Sequence, residues 1–169
     1  MGLKSVAAVL VALAEELAGP GTEEETALVW AAQTKFLARG RGARPAIGAV
    51  RANARWRPRR TVVVGLAAAG EGSGLAKPGG GPVLIQAKDG PSPLRQALEK
   101  AAAAAGRPLQ FRIAEDSPLA APFATPPGEV ATLALPVHFL HTLSEVVALA
   151  DLEALRDILA RYLRKGGAA

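Results

Sequence analysis

His138 and His141, three residues apart, are the only histidines in the chain, and they sit where the apolar run VATLALP (130–136) hands over to a helical pattern. Two imidazoles at this spacing could ligate a metal ion. Zinc, however, takes four protein ligands in structural sites and three plus a water in catalytic ones. No third partner follows from spacing, so the competing reading is a histidine hydrogen-bonded at a strand end. The chain has no cysteine, which excludes thiolate metal sites and disulfides. The five serines (5, 73, 92, 117 and 144) offer no nucleophile elbow, since Gly72-Ser73-Gly74 is not G-x-S-x-G. Gly70-Glu71-Gly72-Ser73-Gly74 and Gly79-Gly80-Gly81 lack the GK[ST] step of a phosphate loop and lead into a strand rather than a helix. Glu23, Glu24 and Glu25 read as solvated carboxylates in a turn.

Charge is unevenly spread. Residues 35–60 hold nine basic side chains (Lys35, Arg39, Arg41, Arg44, Arg51, Arg55, Arg57, Arg59 and Arg60), no acidic one, and Trp56. Taking those nine from the net charge of +5 leaves the rest of the chain at −4, so the basicity is a patch rather than a general solubility charge. Such a patch binds anions: nucleic acid by counterion release with Trp56 stacking on a base, a phosphate-bearing or carboxylate ligand held bidentately, or an acidic protein surface. The plainer reading is a solvated Arg-rich face, since Arg outnumbers Lys 14 to 6 and Asn53 is the only asparagine. That bias suits a GC-rich, heat-adapted source.

The elements that must position these residues follow from periodicity. At 169 residues and 50% hydrophobic content the chain fits one domain with one core. Residues 5–14 after Lys4 resemble a secretory apolar segment, but Val6, Val9, Leu10, Leu13 and Leu17 continue a helical stripe through Glu15 and Glu16. A core helix ending at Gly19-Pro20-Gly21 in a cytoplasmic, non-membrane protein is therefore expected. Strands are expected at ALVWAA (27–32), TVVVGL (61–66), PVLIQA (82–87), PLQFRI (108–113) and VATLALP (130–136). Ser92 caps a helix with Pro93 in its first turn and Gly106 at its end. A last helix begins near Asp151, with Leu152, Leu155, Ile158, Leu159, Tyr162 and Leu163 on its apolar face. Apolar strands alternating with helices imply an α/β fold, a three-layer α/β/α sandwich with a mostly parallel sheet of about five strands. Sites would lie after Ala32, Leu66 and Pro136, at strand carboxyl ends.

At those places the chain resembles the co-catalytic metallo-aminopeptidases of the glutamyl and deblocking type, which include the tetrahedral aminopeptidases and have been labelled endoglucanases or cellulases. The C-terminal match is Pro136, Phe139-Leu140-His141, Glu145, Val146-Val147 and Asp151-Leu152-Glu153. The family's GxGPxI step is similar to Gly79-Gly80-Gly81-Pro82-Val83-Leu84-Ile85, followed by Asp89, and its P-x-Q entry to Pro108-Leu109-Gln110. The resemblance runs from about residue 3 to 165 and implies a single domain, 1–169, like the C-terminal half of the family's catalytic domain.

In that family two divalent metals activate a water whose proton passes to a glutamate. The family's Q-E-E-V-G-x-R-G falls on Gln33-Thr34-Lys35-Phe36-Leu37-Ala38-Arg39-Gly40. Thr34 would stand where the general base belongs, and Lys35, a cation, where a metal ligand belongs. The strand-end aspartate becomes Gly65, the bridging aspartate falls at Met1 or Gly2, and the first histidine falls upstream of residue 1. Only His141 matches a ligand position, and no cofactor is expected. What the resemblance then implies is a non-catalytic module for binding or assembly, as a homo-oligomer or with a full-length paralogue. The alternatives are residual hydrolysis with ligands from another subunit, or anion binding through the basic segment 35–60, which would border the former active-site mouth.

Overall fold

The computed structural model describes residues 2–18, 26–29, 47–72, 74–86, 92–113, 120, 123–124 and 128–164. Four helices and one four-stranded sheet form in the order α1 (Gly2–Leu17), α2 (Ile47–Trp56), β1 (Arg60–Ala68), β2 (Val83–Gln86), α3 (Pro93–Ala105), β3 (Gln110–Ile113), β4 (Glu129–Val137) and α4 (Leu149–Arg164). The fold is mixed α/β.

Helix α3 has the ends that its sequence predicts. The Arg95 N–H donates to Ser92 Oγ (3.3 Å), Pro93 occupies the first turn, and Gly106 takes the left-handed cap conformation at φ 62°. The cap amides Gly106 N and Arg107 N close onto the carbonyls of Ala103 and Ala102. Helix α1 is a core helix, as its stripe requires, with Val6, Val9 and Leu13 buried.

The sheet departs from expectation in two ways. Its strand order is β1-β4-β2-β3, and although β1/β4 and β2/β3 are parallel, β2 runs antiparallel to β4. Parallel neighbours need a crossover long enough to carry the chain back, usually a helix. Helix α3 supplies one between β2 and β3, whereas no helix is described between β1 and β2. Of the expected first strand (27–32), residues 27–29 have no regular structure, and 30–32 lie outside the described residues. The described sheet therefore has four strands, not five, and is mixed rather than mostly parallel.

Alternation along the strands separates two faces. Leu84, Ala131, Leu133 and Leu135 share one core with Leu13 of α1, Leu94 and Leu98 of α3, and Leu155, Ile158 and Leu159 of α4. Helices α1 and α3 both pack on α4, so these three lie on a single face. The opposite face carries a smaller cluster of Ala67, Val83, Ile85 and Ala134 with Ala69 and Ala76. Emptying any one of the fully buried leucines should cost about 2–5 kcal/mol.

Ion pairs tie the helices at their ends. Arg107, just past α3, reaches Asp157 of α4 through Nε (2.8 Å) and Nη2 (2.6 Å). Burial pushes the Asp157 carboxyl up, but hydrogen bonds and charge from Arg156 and Arg107 outweigh it and hold the group below the usual carboxylate range. Arg164 pairs with Glu16 at 2.6 Å, joining the ends of α4 and α1 at the surface.

Candidate functional site

Strands β1 and β4 are parallel and in register from Arg60↔Glu129 to Ala68↔Val137, so their carboxyl ends lie side by side. The first residue of β2 meets the same region, since Val83 pairs with Ala134. The loops 69–82 and 138–148 therefore emerge at one end of the sheet, where the sequence places the site.

His138 and Val146 exchange two backbone hydrogen bonds across the mouth of the second loop (2.9 and 3.2 Å). Inside it Phe139 and His141 take left-handed backbone, at φ 54° and 69°. Such a conformation costs a non-glycine residue about 1–2 kcal/mol, and local hydrogen bonds hold it. The Thr142 amide (3.0 Å) and hydroxyl (2.6 Å) both donate to the Phe139 carbonyl, and the His141 amide donates to Glu145 Oε1 (2.9 Å). Glu145 thus braces the backbone beside His141. His141, Thr142 and Ser144 are exposed, as are the apolar side chains of Phe139 (63%), Leu143 (103%) and Val146 (53%).

Gly65 of β1, the position matched to the strand-end aspartate, pairs with Ala134 of β4. A Cβ there would meet only Thr132 Cγ2, at 3.9 Å, so the position could take a side chain and has none. Thr34 and Lys35 lie outside the described residues. Among the described residues no group of three or more His, Asp or Glu is close enough to hold a metal ion. The described residues alone do not gather the ligand set that a two-metal centre needs.

What the fold brings together instead are the remaining resemblance motifs. Asp151, fully buried in the first turn of α4, accepts hydrogen bonds from Gly79 N on Oδ2 and from Gly81 N on Oδ1, both 2.8 Å. Gln110 grips the same loop from β3. Its Oε1 accepts from Lys77 N (2.8 Å), and its Nε2 donates to the carbonyls of Lys77 (2.9 Å) and Gly81 (2.7 Å). GGGP, P-x-Q and D-L-E therefore form one cluster that clamps the 77–82 loop to the first turn of α4 and the start of β3. A glycine is obligatory at its centre: at Gly81, φ 87°, a Cβ would lie 2.1 Å from the Pro108 carbonyl oxygen. These motifs do structural work, and Asp151 as the shared acceptor was not visible in the sequence.

The basic segment is placed differently from expectation. Arg60 begins β1 and lies 3.7 Å from Glu129, which begins β4. Arg57, Arg59 and Arg60 therefore lie toward the amino end of β1, about 26 Å along an extended nine-residue strand from the end that carries the loops. They lie at the opposite end of β1 from the loops where the sequence places the site. Upstream lies α2, for which the sequence gives no clear stripe: among its residues of described burial, the buried ones are Ala49 and Ala52, too small to mark an apolar face. Arg51, Arg55, Arg57 and Arg59 are exposed, and the Arg55 guanidinium lies 5.2 Å from the centroid of the Trp56 ring. Arg39, Arg41 and Arg44 lie outside the described residues.

No family model and no curated protein matches the chain. Solved structures do. A TET aminopeptidase from the marine sediment archaeon Thaumarchaeota archaeon SCGC AB-539-E09 superposes with a TM-score of 0.61 at 19% identity, over 70% of this chain and 36% of that one. An aminopeptidase from the archaeon Desulfurococcus kamchatkensis gives 0.61 at 17% identity over 73% and 39%. A protein from Thermotoga maritima described as an endoglucanase gives 0.56 at 17% identity over 70% and 38%. The fold is that of part of these proteins, in agreement with the family that the motifs resemble, and the chain spans less than two fifths of their length. Among the described residues no helix is long and apolar enough to cross a membrane.

Proposed function

We propose that the chain is a catalytically inactive, aminopeptidase-like module, corresponding to the C-terminal half of the family's catalytic domain, that serves in binding or assembly. The observation that carries this is an asymmetry within one fold. The Asp151–Gly79–Gly81–Gln110 clamp, which holds the architecture, is formed, while Gly65 carries no ligand and, among the described residues, no group of three or more potential ligands gathers at His141. Thr34 in place of a base and Lys35 in place of a ligand fit the same reading. Assembly is supported by apolar side chains left in water, Phe139 and Leu143 on the site loop and Phe111 and Ile113 on the edge strand β3, since such surface favours association. It is supported too by likeness to TET1 of Pyrococcus horikoshii, which assembles into a tetrahedron or an octahedral shell. A second copy of this chain or a full-length paralogue would be the partner.

The test is metal analysis of protein purified without chelator, assays on aminoacyl-anilides with added Co²⁺ or Zn²⁺, and light scattering at micromolar concentration. The expected result is substoichiometric metal, no turnover and a mass above that of one chain. Stoichiometric metal with turnover abolished by His141→Ala would establish the alternative, hydrolysis with ligands from another subunit.

A further inference from the structure

Arg51 and Arg55 are one helical turn apart on α2 and share a face. Arg57 and Arg59 continue the series into the stretch that leads to β1. All four are exposed, and none takes part in the ion pairs that engage Arg60, Arg107, Arg156 and Arg164. No Asp or Glu occurs anywhere between residues 35 and 60. A solvated face evolved for solubility normally mixes both signs. Within this segment the charge has a single sign, with Glu129 of β4 beside Arg60 at its end, and the segment holds a tryptophan with 44% of its surface in water.

We propose that this surface binds single-stranded nucleic acid, with Arg51, Arg55, Arg57 and Arg59 on successive phosphates and Trp56 stacking on a base. Arg51 and Arg55 are about 6 Å apart along the helix, and Arg57 and Arg59 follow past a left-handed backbone at Arg57, φ 43°, so four cations succeed one another within nine residues. The aromatic decides between partners. An acidic protein surface would use the charges but has no need of an exposed indole, and a duplex keeps its base faces stacked out of reach. Unpaired bases offer a π-face to an aromatic side chain whatever their sequence. Arg55 lies over one face of the Trp56 ring, so a base on the other completes a guanidinium–indole–base stack. This inference rests on α2 and the residues that lead from it to β1, and is independent of the metal positions.

The experiment is fluorescence anisotropy of the full chain with a labelled oligo(dT) of about 15 nucleotides, the matching duplex, and poly-glutamate as competitor, starting at about 50 mM salt. The expected result is preference for the single strand and a log–log salt slope of about −2.8 or steeper, at about −0.7 for each of four phosphates. Arg55→Ala with Arg59→Ala should flatten the slope by about 1.4. Trp56→Ala should weaken binding about 5- to 150-fold with little change of slope, and Trp56→Phe should restore most of it. All substituted residues are exposed, and an unchanged far-UV spectrum establishes that the variants fold. Three results would each overturn the proposal: no binding of the single strand at low salt, duplex bound as tightly with Trp56→Ala neutral, or poly-glutamate displacing oligo(dT) at lower charge concentration, which would assign the surface to an acidic protein.

Discussion

Replacing Gly81 with alanine probes the clamp at its tightest point. The residue has φ 87°, a backbone state that costs an L-side chain about 1–2 kcal/mol by itself. Its Cβ would lie 2.1 Å from the Pro108 oxygen and 2.6 Å from the Pro108 carbon, so one backbone segment must move by roughly 1 Å to reach ordinary contact. That movement strains the Gly81 N–H bond to buried Asp151, and hydrogen bonds to charged groups contribute about 1.5–3 kcal/mol. Together these give a loss of about 3–5 kcal/mol, against a total stability of about 5–15 kcal/mol for a domain. Gly79 is the internal control. It also has positive φ, 75°, and its amide also bonds to Asp151, but a Cβ there meets nothing within 4 Å. Gly79→Ala should therefore cost only the backbone term of about 1–2 kcal/mol. Urea unfolding followed by far-UV ellipticity measures both; with a slope near 2 kcal/mol/M, Gly81→Ala should lower the midpoint by about 1.5–2.5 M. If the two variants fall within about 0.5 kcal/mol of each other, the collision with Pro108 is not what makes Gly81 obligatory.

Asp151→Ala should strand the buried Gly81 amide, at about 1–3 kcal/mol, cost less at the more exposed Gly79 amide, and increase exchange of both amide protons before that of β4. Asp157→Asn should narrow the pH dependence of stability. Because the Asp157 carboxyl titrates below its usual value when folded, its contribution is present above about pH 4 and lost as pH falls through the folded value. The gap between the urea midpoints of the native protein and Asp157→Asn should then shrink from pH 7 to pH 3; a constant gap would remove the ion pair as its source.

Local signals in the sequence determined most of the elements. Ser92-Pro93 and Gly106 bound α3 because capping and left-handed geometry are decided within a few residues, and the apolar runs at 61–66, 82–87, 108–113 and 130–136 each hold a strand. That position 65 offers no side-chain ligand was also readable, since glycine has none in any fold. Helix α2 was not legible, because alanines on its buried side carry little hydrophobic signal beside its arginines. Strand direction was decided only in three dimensions: an apolar run is the same read either way, and it is the partner β4, entering between β1 and β2, that makes β2 antiparallel. The same holds for the clamp. Asp151 and Gly81 are seventy residues apart, and no spacing in the chain could show that a carboxylate opening α4 is needed to hold a glycine loop before β2. The arginines precede β1 in the chain and so lie at its amino end, but that the loops 69–82 and 138–148 share the other end was settled only by the pairing of β4 with β1 and β2.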